Sequence, residues 1–598
     1  MLEDRIDEPP VPYPDRQYET VNIPYQNVFV QDVSPEQAHH NLPDAVLKKY
    51  ASQIEFLDSS SGSGTSRFQF YRQAKVLAVG SGHFLVSLVA AMFESGLSKF
   101  HVLITDSVQT DRQRLANLAE NARQTDPEAT IEEIFLQKAG VDSWREAVRP
   151  FHSILYVSQE GDIGELRTLH AVCREEGKTL LPAICVQHTG MAGPLVRPEN
   201  KGCWESAWRR LHRSVLDKNT RPPTFSSTAG ALLSNVIVLE LLKTITRVAE
   251  SELTNKFFLL DLETLEGEGH SFMPHPLVTG RVAAEWVQDF DLRLGRSSDR
   301  SEPDGLLPYF NRLTSVKSGV FHTWQEGDLK QLPLSQCRVQ VADPMSEGPA
   351  GLLPDMVCTH LTHMEARREA GLAGIEAHVS RMSSLFVTTL PPHREIKGGK
   401  VKLQEFIGVG AGETFAEGVY RGLQKCLTEE LGKRQTYQNP SVKQVQFHTV
   451  DDKRCRYYLQ ALSTLQGTPM IGLGEEVSGF PVVWVGTGGC WYGCVGLNMT
   501  MALRRALQQA LQQAQNQATS LSAQGFKASS VIQEEMTPLS LSIPSFEETT
   551  TQSELLQSAL PILKRNRRRF FVFDLELEPF LKDEPVKVFG TLLREEGA

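Results

Sequence analysis

Cysteine is scarce in this sequence, with nine residues in a chain of 598. So few dispersed thiols cannot form a disulfide framework, and we expect a reducing, cytoplasmic compartment. The first residues are polar and precede a proline-rich stretch, which is not the pattern of a secretory signal peptide. The sequence also lacks an uninterrupted apolar run of about 20 residues, so we expect no membrane-spanning helix.

An excess of positive charge is missing as well. The chain holds 61 Lys and Arg against 72 Asp and Glu, a formal net charge of -11. Phosphates of nucleic acids and anionic membranes repel such a chain, so neither is expected as a partner, whereas a basic peptide or protein is compatible. The single basic run, residues 564–569, is interpreted as a solvated turn or strand edge, with a nucleic-acid patch as the alternative.

The length predicts several domains, and the composition is that of an ordinary globular protein. Residues 1–27 are rich in proline and acid, residues 27–33 alternate like a short strand, and residues 43–57 have helical spacing. A Ser/Gly linker follows at residues 59–64. Residues 296–304 are charged and polar, and we place the boundary between two halves of the chain there.

Strands alternate with helices in the first half. A buried strand at residues 75–79 is followed by Gly80-Ser81-Gly82, a helix at 84–95, and a strand at 101–105 that leads to Asp106. Further strands are predicted at 153–158, 180–186 and 256–262, and a long apolar helix at 229–249. This alternation predicts a doubly wound, mainly parallel sheet.

The glycine loop has two interpretations. A strand, a tight glycine turn and a helix N-terminus form a cradle for phosphate, and an acid such as Asp106 at the next strand end usually holds a ribose. The third glycine of the fingerprint is replaced by Leu85, and a lone G-x-G is weak evidence. The alternative is a tight turn that binds no ligand.

Other candidates carry a structural alternative too. Cys490 and Cys494 lie on a predicted loop before a helix and have the spacing of a redox pair. The residues Cys358, His360 and His363 offer three potential zinc ligands, and Cys203 offers a nucleophile. For each we favour a structural role. Residues 506–517 are rich in glutamine and predict a helix, since Ala and Leu keep helical spacing.

The first half resembles the ThiF and ubiquitin-activating-enzyme superfamily at residues 76–115, 193–198 and 229–249. The resemblance implies activation of a carboxylate with ATP and magnesium, at a nucleotide site made of Gly80, Gly82, Asp106, Arg112 and Gln113. However, Gln159 stands where the superfamily has a magnesium-binding Asp, Arg112-Gln113 is out of register, and paired C-x-x-C knuckles are missing. We therefore expect a vestigial site with no catalytic residue.

The second half resembles the YcaO superfamily at residues 408–434 and 486–513. Residues 408–430 predict a Gly-rich turn followed by a helix, and residues 482–517 predict a strand at 482–485, a Gly-rich turn and a long helix. The resemblance implies glutamates that hold magnesium–ATP on the two helices. Lys425, Thr428 and Gln509 occupy those positions, and the neighbouring Glu429 and Glu430 are expected to face elsewhere, because a helix turns about 100° per residue.

The pairing of these halves, with segments 29–34, 49–58, 71–82, 100–106 and 203–210, resembles the thiazole-containing bacteriocin maturation proteins. That resemblance implies an N-terminal segment at 1–66 (a remnant of a winged-helix leader-binding module plus linker), a ThiF-like α/β domain at 67–285 and a degenerate YcaO-like α+β domain at 300–598. The tentative peptide-binding residues are Val28, Phe29 and Val30.

The implied function is that of a non-catalytic homodimeric partner protein. It would bind the leader of a ribosomally made precursor and present the core to a separate YcaO cyclodehydratase, which makes thiazoles and oxazoles. No metal site and no cofactor are expected, although residual ATP and magnesium binding is compatible with the loop. The alternative is an ATP- and magnesium-dependent adenylating enzyme or cyclodehydratase component.

Overall fold

The protein consists of two α/β halves in a computed structural model. The structure describes residues 42–59, 63–136, 140–217, 225–279, 284–296, 305–391, 401–402, 404–516, 525–534, 538–545, 551–582 and 584–596. The strand predicted at residues 27–33, with Val28, Phe29 and Val30, lies outside these ranges.

The first half is built on one eight-stranded sheet in the order β3-β2-β1-β4-β5-β6-β7-β8. Its strands are β1 (Val76–Gly80), β2 (Lys99–Ile104), β3 (Thr130–Ile134), β4 (Ser153–Ser158), β5 (Thr179–Val186), β6 (Thr189–Ala192), β7 (Lys256–Asp261) and β8 (Gly267–Ser271). Strands β1 to β5 are parallel, and β6 to β8 join antiparallel.

Helices cover both faces of this sheet. They are α1 (Asp44–Lys49), α2 (Ala51–Asp58), α3 (Gly64–Arg72), α4 (Gly82–Glu94), α5 (Arg112–Arg123), α6 (Val141–Val148), α7 (Ile163–Glu175), α8 (Trp204–Arg210), α9 (Arg213–Leu216), α10 (Ser227–Thr246) and α11 (Pro276–Thr279). Each face of the sheet has its own apolar core. In strand β1, Val76 and Ala78 belong to one core, and Leu77 and Val79 belong to the other. The predicted doubly wound sheet is confirmed.

Two local predictions change in the first half. The helix predicted at residues 43–57 is divided into α1 and α2 at Tyr50, whose buried ring packs on Phe68 of α3. The long helix α10 is apolar and long enough to cross a membrane by composition alone. It packs along α4 and contributes Leu233, Ile237 and Leu241 to the core, so it is a core helix.

The second half begins with β9 (Glu285–Trp286), which pairs with a strand near the C-terminus. The further strands are β10 (Phe321–Gln325), β11 (Ser335–Val341), β12 (Met356–His360), β13 (Gly408–Gly412), β14 (Ser441–Val450), β15 (Met470–Val477), β16 (Phe480–Thr487), β17 (Cys490–Val495), β18 (Phe526–Lys527), β19 (Ile532–Gln533), β20 (Leu539–Ile543), β21 (Arg568–Asp574) and β22 (Lys587–Glu595). The helices are α12 (Phe290–Arg296), α13 (Leu306–Arg312), α14 (His363–Val387), α15 (Phe415–Tyr437), α16 (Lys453–Gln466), α17 (Met499–Asn516) and α18 (Gln552–Arg565).

These strands form three sheets in the second half. Their orders are β10-β11-β12, β13-β22-β21-β9 and β18-β17-β16-β15-β14-β19, with β20 added on β14. Helix α14 packs on the first two sheets and α15 on the second, so the two long helices lie between sheets. Together with the first half, this confirms the predicted fold class of a doubly wound domain followed by an α+β half.

The glycine-rich stretch at 408–412 is a buried strand, not the predicted turn. Its glycines allow the backbone of β13 to lie directly against that of α15. A Cβ on Gly410 would collide with the carbonyl oxygen of Gly418 and would lie 2.4 Å from the backbone nitrogen of Gly422. Glycine is therefore selected here by close strand–helix packing. Sequence alone does not distinguish that need from a turn.

The second glycine-rich stretch is also different from the prediction. Gly488 and Gly489 form the turn of a β16–β17 hairpin. The unpredicted strand β17 therefore lies between this turn and helix α17. Cys490 and Cys494 lie on that strand, four residues apart, and not on a loop. Residues at that separation on a strand are about 13 Å apart, too far for a disulfide.

The predicted glutamine-rich helix is confirmed as α17, and its glutamines bind the edge of another sheet. Gln508 and Gln512 donate through their amides to the carbonyls of Thr359 and Val357, at 2.6 and 2.8 Å. Those carbonyls point away from β11, at the outer edge of β12. The side chains thus occupy an edge that would otherwise pair with another strand.

The two halves are joined by a buried ionic contact. Glu578 accepts from Arg210 of α8 at 2.6 Å and pairs with His378 of α14 at 2.7 Å. All three side chains are almost fully buried. The basic run at 564–569 spans the end of α18, a turn and the start of β21, where Arg568 pairs with Glu430. Most of its side chains are exposed, so the interpretation as a solvated turn is confirmed.

Candidate functional site

The glycine loop connects β1 to α4, as predicted. Gly80 and Gly82 have φ of +152° and +64°, in the region that favours glycine. A Cβ on Gly80 would collide with the carbonyl of Val157, and one on Gly82 would lie 2.7 Å from the side-chain oxygen of Gln159. Both glycines are therefore required by packing of the loop against the end of β4.

Protein groups occupy the cradle that a phosphate would need. The amide of Gly82, at the N-terminus of α4, donates to the hydroxyl of Thr110 at 2.8 Å. Gln159 lies beside it, with its side-chain oxygen buried and without a hydrogen-bond partner in the described part of the chain. An anion at this helix N-terminus would have to displace the threonine hydroxyl and would meet a second oxygen, so the local geometry disfavours it.

The remaining residues of the expected nucleotide site are Asp106, Arg112 and Gln113. Asp106 is exposed beyond the end of β2. Arg112 donates to Glu133 at 2.8 Å, and these bonds, with a smaller contribution from Asp106, raise the pKa of the Arg112 guanidinium. Gln113 bonds to Asn117 on the surface of α5. The structure thus places Asp106 and Arg112 near each other and turns Gln113 along its own helix.

The second half contains a larger charged cluster between α14 and α15. We call it the helix-pair cluster, and its members are Arg368, Glu369, Glu376, Glu413, Glu417, Arg421 and Lys425. Glu376 is its centre, with a side chain 2% exposed. One oxygen accepts from Arg421 at 2.5 Å and from the amide of Ala411 at 3.0 Å, and the other from Lys425 at 2.7 Å.

Electrostatics favour the ionised form of two carboxylates in the helix-pair cluster, Glu376 and Glu369. Burial by itself would raise the pKa of Glu376, but Arg421 and Lys425 outweigh it and hold the pKa at about 2. Partial burial also opposes ionisation of Glu369, whose side chain is 37% exposed, and Arg421, 2.7 Å away, lowers its pKa. Arg421 and Lys425 therefore supply the positive charge that a bound metal ion would otherwise provide to these acids.

The positions expected to carry the YcaO glutamates make protein contacts. Lys425 pairs with Glu376, Thr428 donates to the carbonyl of Gln424 in its own helix at 2.8 Å, and Gln509 accepts from the thiol of Cys494 at 3.0 Å. The expectation that Glu429 and Glu430 face elsewhere is confirmed. Glu430 binds Arg568 and the hydroxyl of Ser478 on another side of α15, and Glu429 pairs with Lys433.

The residues of the helix-pair cluster do not fit magnesium–ATP. A hard cation needs several free carboxylate oxygens, whereas both oxygens of Glu376 are taken by Arg421, Lys425 and Ala411. Across the described ranges, no three His, Cys, Asp or Glu side chains converge as metal ligands. Cys358, His360 and His363 do not form such a group, and His360 pairs instead with Glu365 at 2.6 Å.

Most of the helix-pair cluster was missed by sequence reasoning. Glu365, Glu369 and Glu376 recur on α14 at spacings of four and seven residues, and Arg421 and Lys425 are four apart on α15. This spacing places each set on one helix face and could have indicated a charged helix pair. Cys203, for which the sequence favours a structural role over that of a nucleophile, is 3% exposed and lies 3.6 Å from the hydroxyl of Ser206 at the start of α8.

No protein-family model matches the chain, and no curated protein matches it. Among solved structures, one described as a heterocyclase in complex with substrate and cofactor covers 93% of this chain and 85% of its own, with 12% identity and a TM-score of 0.55. E. coli MccB bound to succinimide covers 37% of this chain and 71% of its own, with 13% identity and a TM-score of 0.32. PaaA covers 39% and 85%, with 13% identity and a TM-score of 0.32. The chain therefore shares its overall fold with the heterocyclase along nearly its whole length.

Proposed function

We propose that this chain is a non-catalytic partner protein in the maturation of a ribosomally made thiazole- or oxazole-containing peptide. In this proposal it binds the leader of the precursor and presents the core to a separate YcaO cyclodehydratase. It acts as a homodimer in the cytoplasm, with neither nucleic acid nor membrane as a partner. The sequence resemblance and the overall fold common to this chain and a heterocyclase support a role in peptide maturation.

One observation carries the non-catalytic part of the proposal. Glu376, the most buried carboxylate between the two long helices, has its oxygens occupied by Arg421, Lys425 and the Ala411 amide. Magnesium bound with a nucleotide would need free carboxylate oxygens here, and the Mg²⁺ ion would be repelled by two cations at contact distance. The glycine loop supports the same conclusion, since Thr110 uses the Gly82 amide.

Reconstitution tests the proposal directly. A precursor and its YcaO cyclodehydratase are incubated with ATP and magnesium, with and without this chain, and azoline formation is followed by mass spectrometry as loss of water. We expect the chain to accelerate conversion by the cyclodehydratase and to convert no precursor alone. Fluorescence polarisation with a labelled leader should give saturable binding. Equal conversion with and without the chain, together with no leader binding, would refute the proposal.

The alternative is an ATP- and magnesium-dependent enzyme, and one observation favours it. Glu365 and Glu369 of α14 keep side chains that are 40% and 37% exposed, so two carboxylates of this region remain accessible to a cation. Isothermal calorimetry with ATP and magnesium separates the two functions. Saturable micromolar binding that is abolished by Asp106→Ala or by Glu369→Gln would establish the alternative, whereas our proposal expects no saturable heat.

A further inference from the structure

Strand β20 forms an open edge of the sheet of the second half. It runs parallel to β14, and within the described ranges it pairs with no other strand. The carbonyl of Ile543 accepts from the amide of Asp451 at 2.8 Å, so the backbone of Ile543 faces β14. Because backbone direction alternates along a strand, Ser540 and Ser542 direct their N–H and C=O groups outward.

The side chains of β20 continue an apolar row that ends in solvent. Leu539 is in register with Val445, Val445 with Ile471, and Ile471 with Val485. Residues in register share one face of a sheet. The three inner members of the row are buried, whereas Leu539 is 49% exposed. A further strand with an apolar residue at this level would therefore extend the row and cover Leu539.

The edge of β20 is flanked by Pro538 and Pro544, but between these prolines it has little protection within the described ranges. Exposed edges are commonly blocked by charged residues, proline or a bulge, because unpaired backbone groups recruit other strands. The sequence of β20 is Leu-Ser-Leu-Ser-Ile, and the register shift lies on β14 between Phe447 and Thr449. The same half covers the edge of β12 with Gln508 and Gln512. Among the residues that the structure describes, the β12 edge is thus capped by the chain, and the β20 edge stays open at Ser540 and Ser542 between the two prolines.

We infer that the β20 edge is the docking site for an extended peptide with apolar side chains at alternate positions, which adds a strand beside Ser540 and Ser542. The inference rests on the proposed function, in which this partner is the precursor leader. The outward N–H and C=O groups of β20 pair with an extended peptide backbone and provide affinity. The apolar row selects apolar side chains at alternate positions of that peptide. A second copy of the chain is disfavoured, because a five-residue edge is far short of the roughly 1,000 Å² that a stable interface buries.

A proline at position 540 isolates the backbone contact. Ser540→Pro removes one outward N–H and leaves the β14 pairing intact, as expected for proline on an edge strand. Ser540→Ala is the matched control, since it removes the hydroxyl and keeps the N–H. Two probes are used in polarisation assays, the fluorescein-labelled leader and a short labelled peptide in which valine alternates with threonine.

We expect wild type and Ser540→Ala to bind alike and Ser540→Pro to bind at least about tenfold more weakly, from one lost hydrogen bond plus the clash of the ring. Amide hydrogen exchange should slow at Ser540 and Ser542 when the peptide is bound. Leu539→Lys should also weaken binding. Leu239→Lys, at a leucine of similar exposure in the first half, should not.

The outcomes separate the site from the proposed function. Tight leader binding that Ser540→Pro and Leu539→Lys leave unchanged would overturn the β20 site and keep the proposed function. Binding of the alternating peptide at β20 without leader binding would keep the site and refute the function. No binding of either probe to wild type would refute both. A wild-type dimer that Ser540→Pro converts to a monomer would assign the edge to a second copy and overturn the inference. Unchanged melting of each variant excludes misfolding.

Discussion

Removing the guanidinium of Arg421 should expose how much the helix-pair cluster depends on its internal cations. Arg421→Met keeps the aliphatic length and leaves Glu376 buried with Lys425 alone. A carboxyl whose pKa falls from 4.5 to about 2 on folding gains roughly 3 kcal/mol at neutral pH, at 1.36 kcal/mol per pKa unit. Breaking a buried pair by removing one partner costs a similar amount, about 3–5 kcal/mol.

The sign of the pH dependence follows from the lowered pKa. Glu376 titrates lower in the folded than in the unfolded chain, so its contribution is fully present above about pH 4.5. That contribution is lost as the pH falls from about 4.5 to about 2. The unfolding midpoint of the wild type should therefore drop through this range. In Arg421→Met the drop should be shallower, because most of the contribution is already missing.

Differential scanning calorimetry measures both effects. For a domain of about 150–250 residues, a loss of about 3 kcal/mol lowers the unfolding midpoint by roughly 6–12 °C. Arg381→Met is the matched control, since Arg381 pairs with Asp343 and is itself 50% exposed, and an exposed pair contributes at most about 1 kcal/mol. If Arg421→Met lowers the midpoint no more than Arg381→Met does, the assignment of Glu376 as a carboxylate held by buried cations is wrong.

Two further predictions concern the glycine loop and the glutamine cap. Gly82→Ala should destabilise the first half by about 1–2 kcal/mol in denaturant unfolding, from positive φ and the contact with Gln159. Adding Gln159→Ala to Gly82→Ala should restore part of the lost stability. If it restores none, the proposed contact between the new Cβ and Gln159 is wrong. Gln508→Ala with Gln512→Ala should increase light scattering on heating, because the β12 edge loses its cap. The surface control Gln113→Ala should scatter like the wild type, and equal scattering by the double variant would refute the cap.

The fold of the first half could be predicted because its signals are local. Strand β4 lies at the predicted residues 153–158, and the apolar helix predicted at 229–249 is found as α10, three residues shorter at its end. Alternation of buried strands and amphipathic helices is visible in any window of the sequence. In the second half the same reasoning placed turns at 408–412 and before α17, where the chain forms β13 and β17.

The candidate site was less predictable, because charge pairing depends on partners distant in sequence. Lys425 was singled out by the resemblance to the YcaO superfamily, which implies a metal-binding glutamate at its position. Its partner Glu376 lies 49 residues away on another helix. No periodicity within either helix states which faces will meet. Only the packing of α14 and α15 decided that the cation neutralises a buried acid.

The sequence by itself determined the doubly wound sheet and the glycine turn after β1, because both depend on residue type and local spacing. The tertiary structure decided the rest. Packing of β13 against α15 decided that Gly410 serves a strand, and Thr110 decided that the Gly82 amide is already bound. Both outcomes result from atoms that meet across long sequence separations, and such meetings are set by how the elements pack and not by any single stretch of sequence.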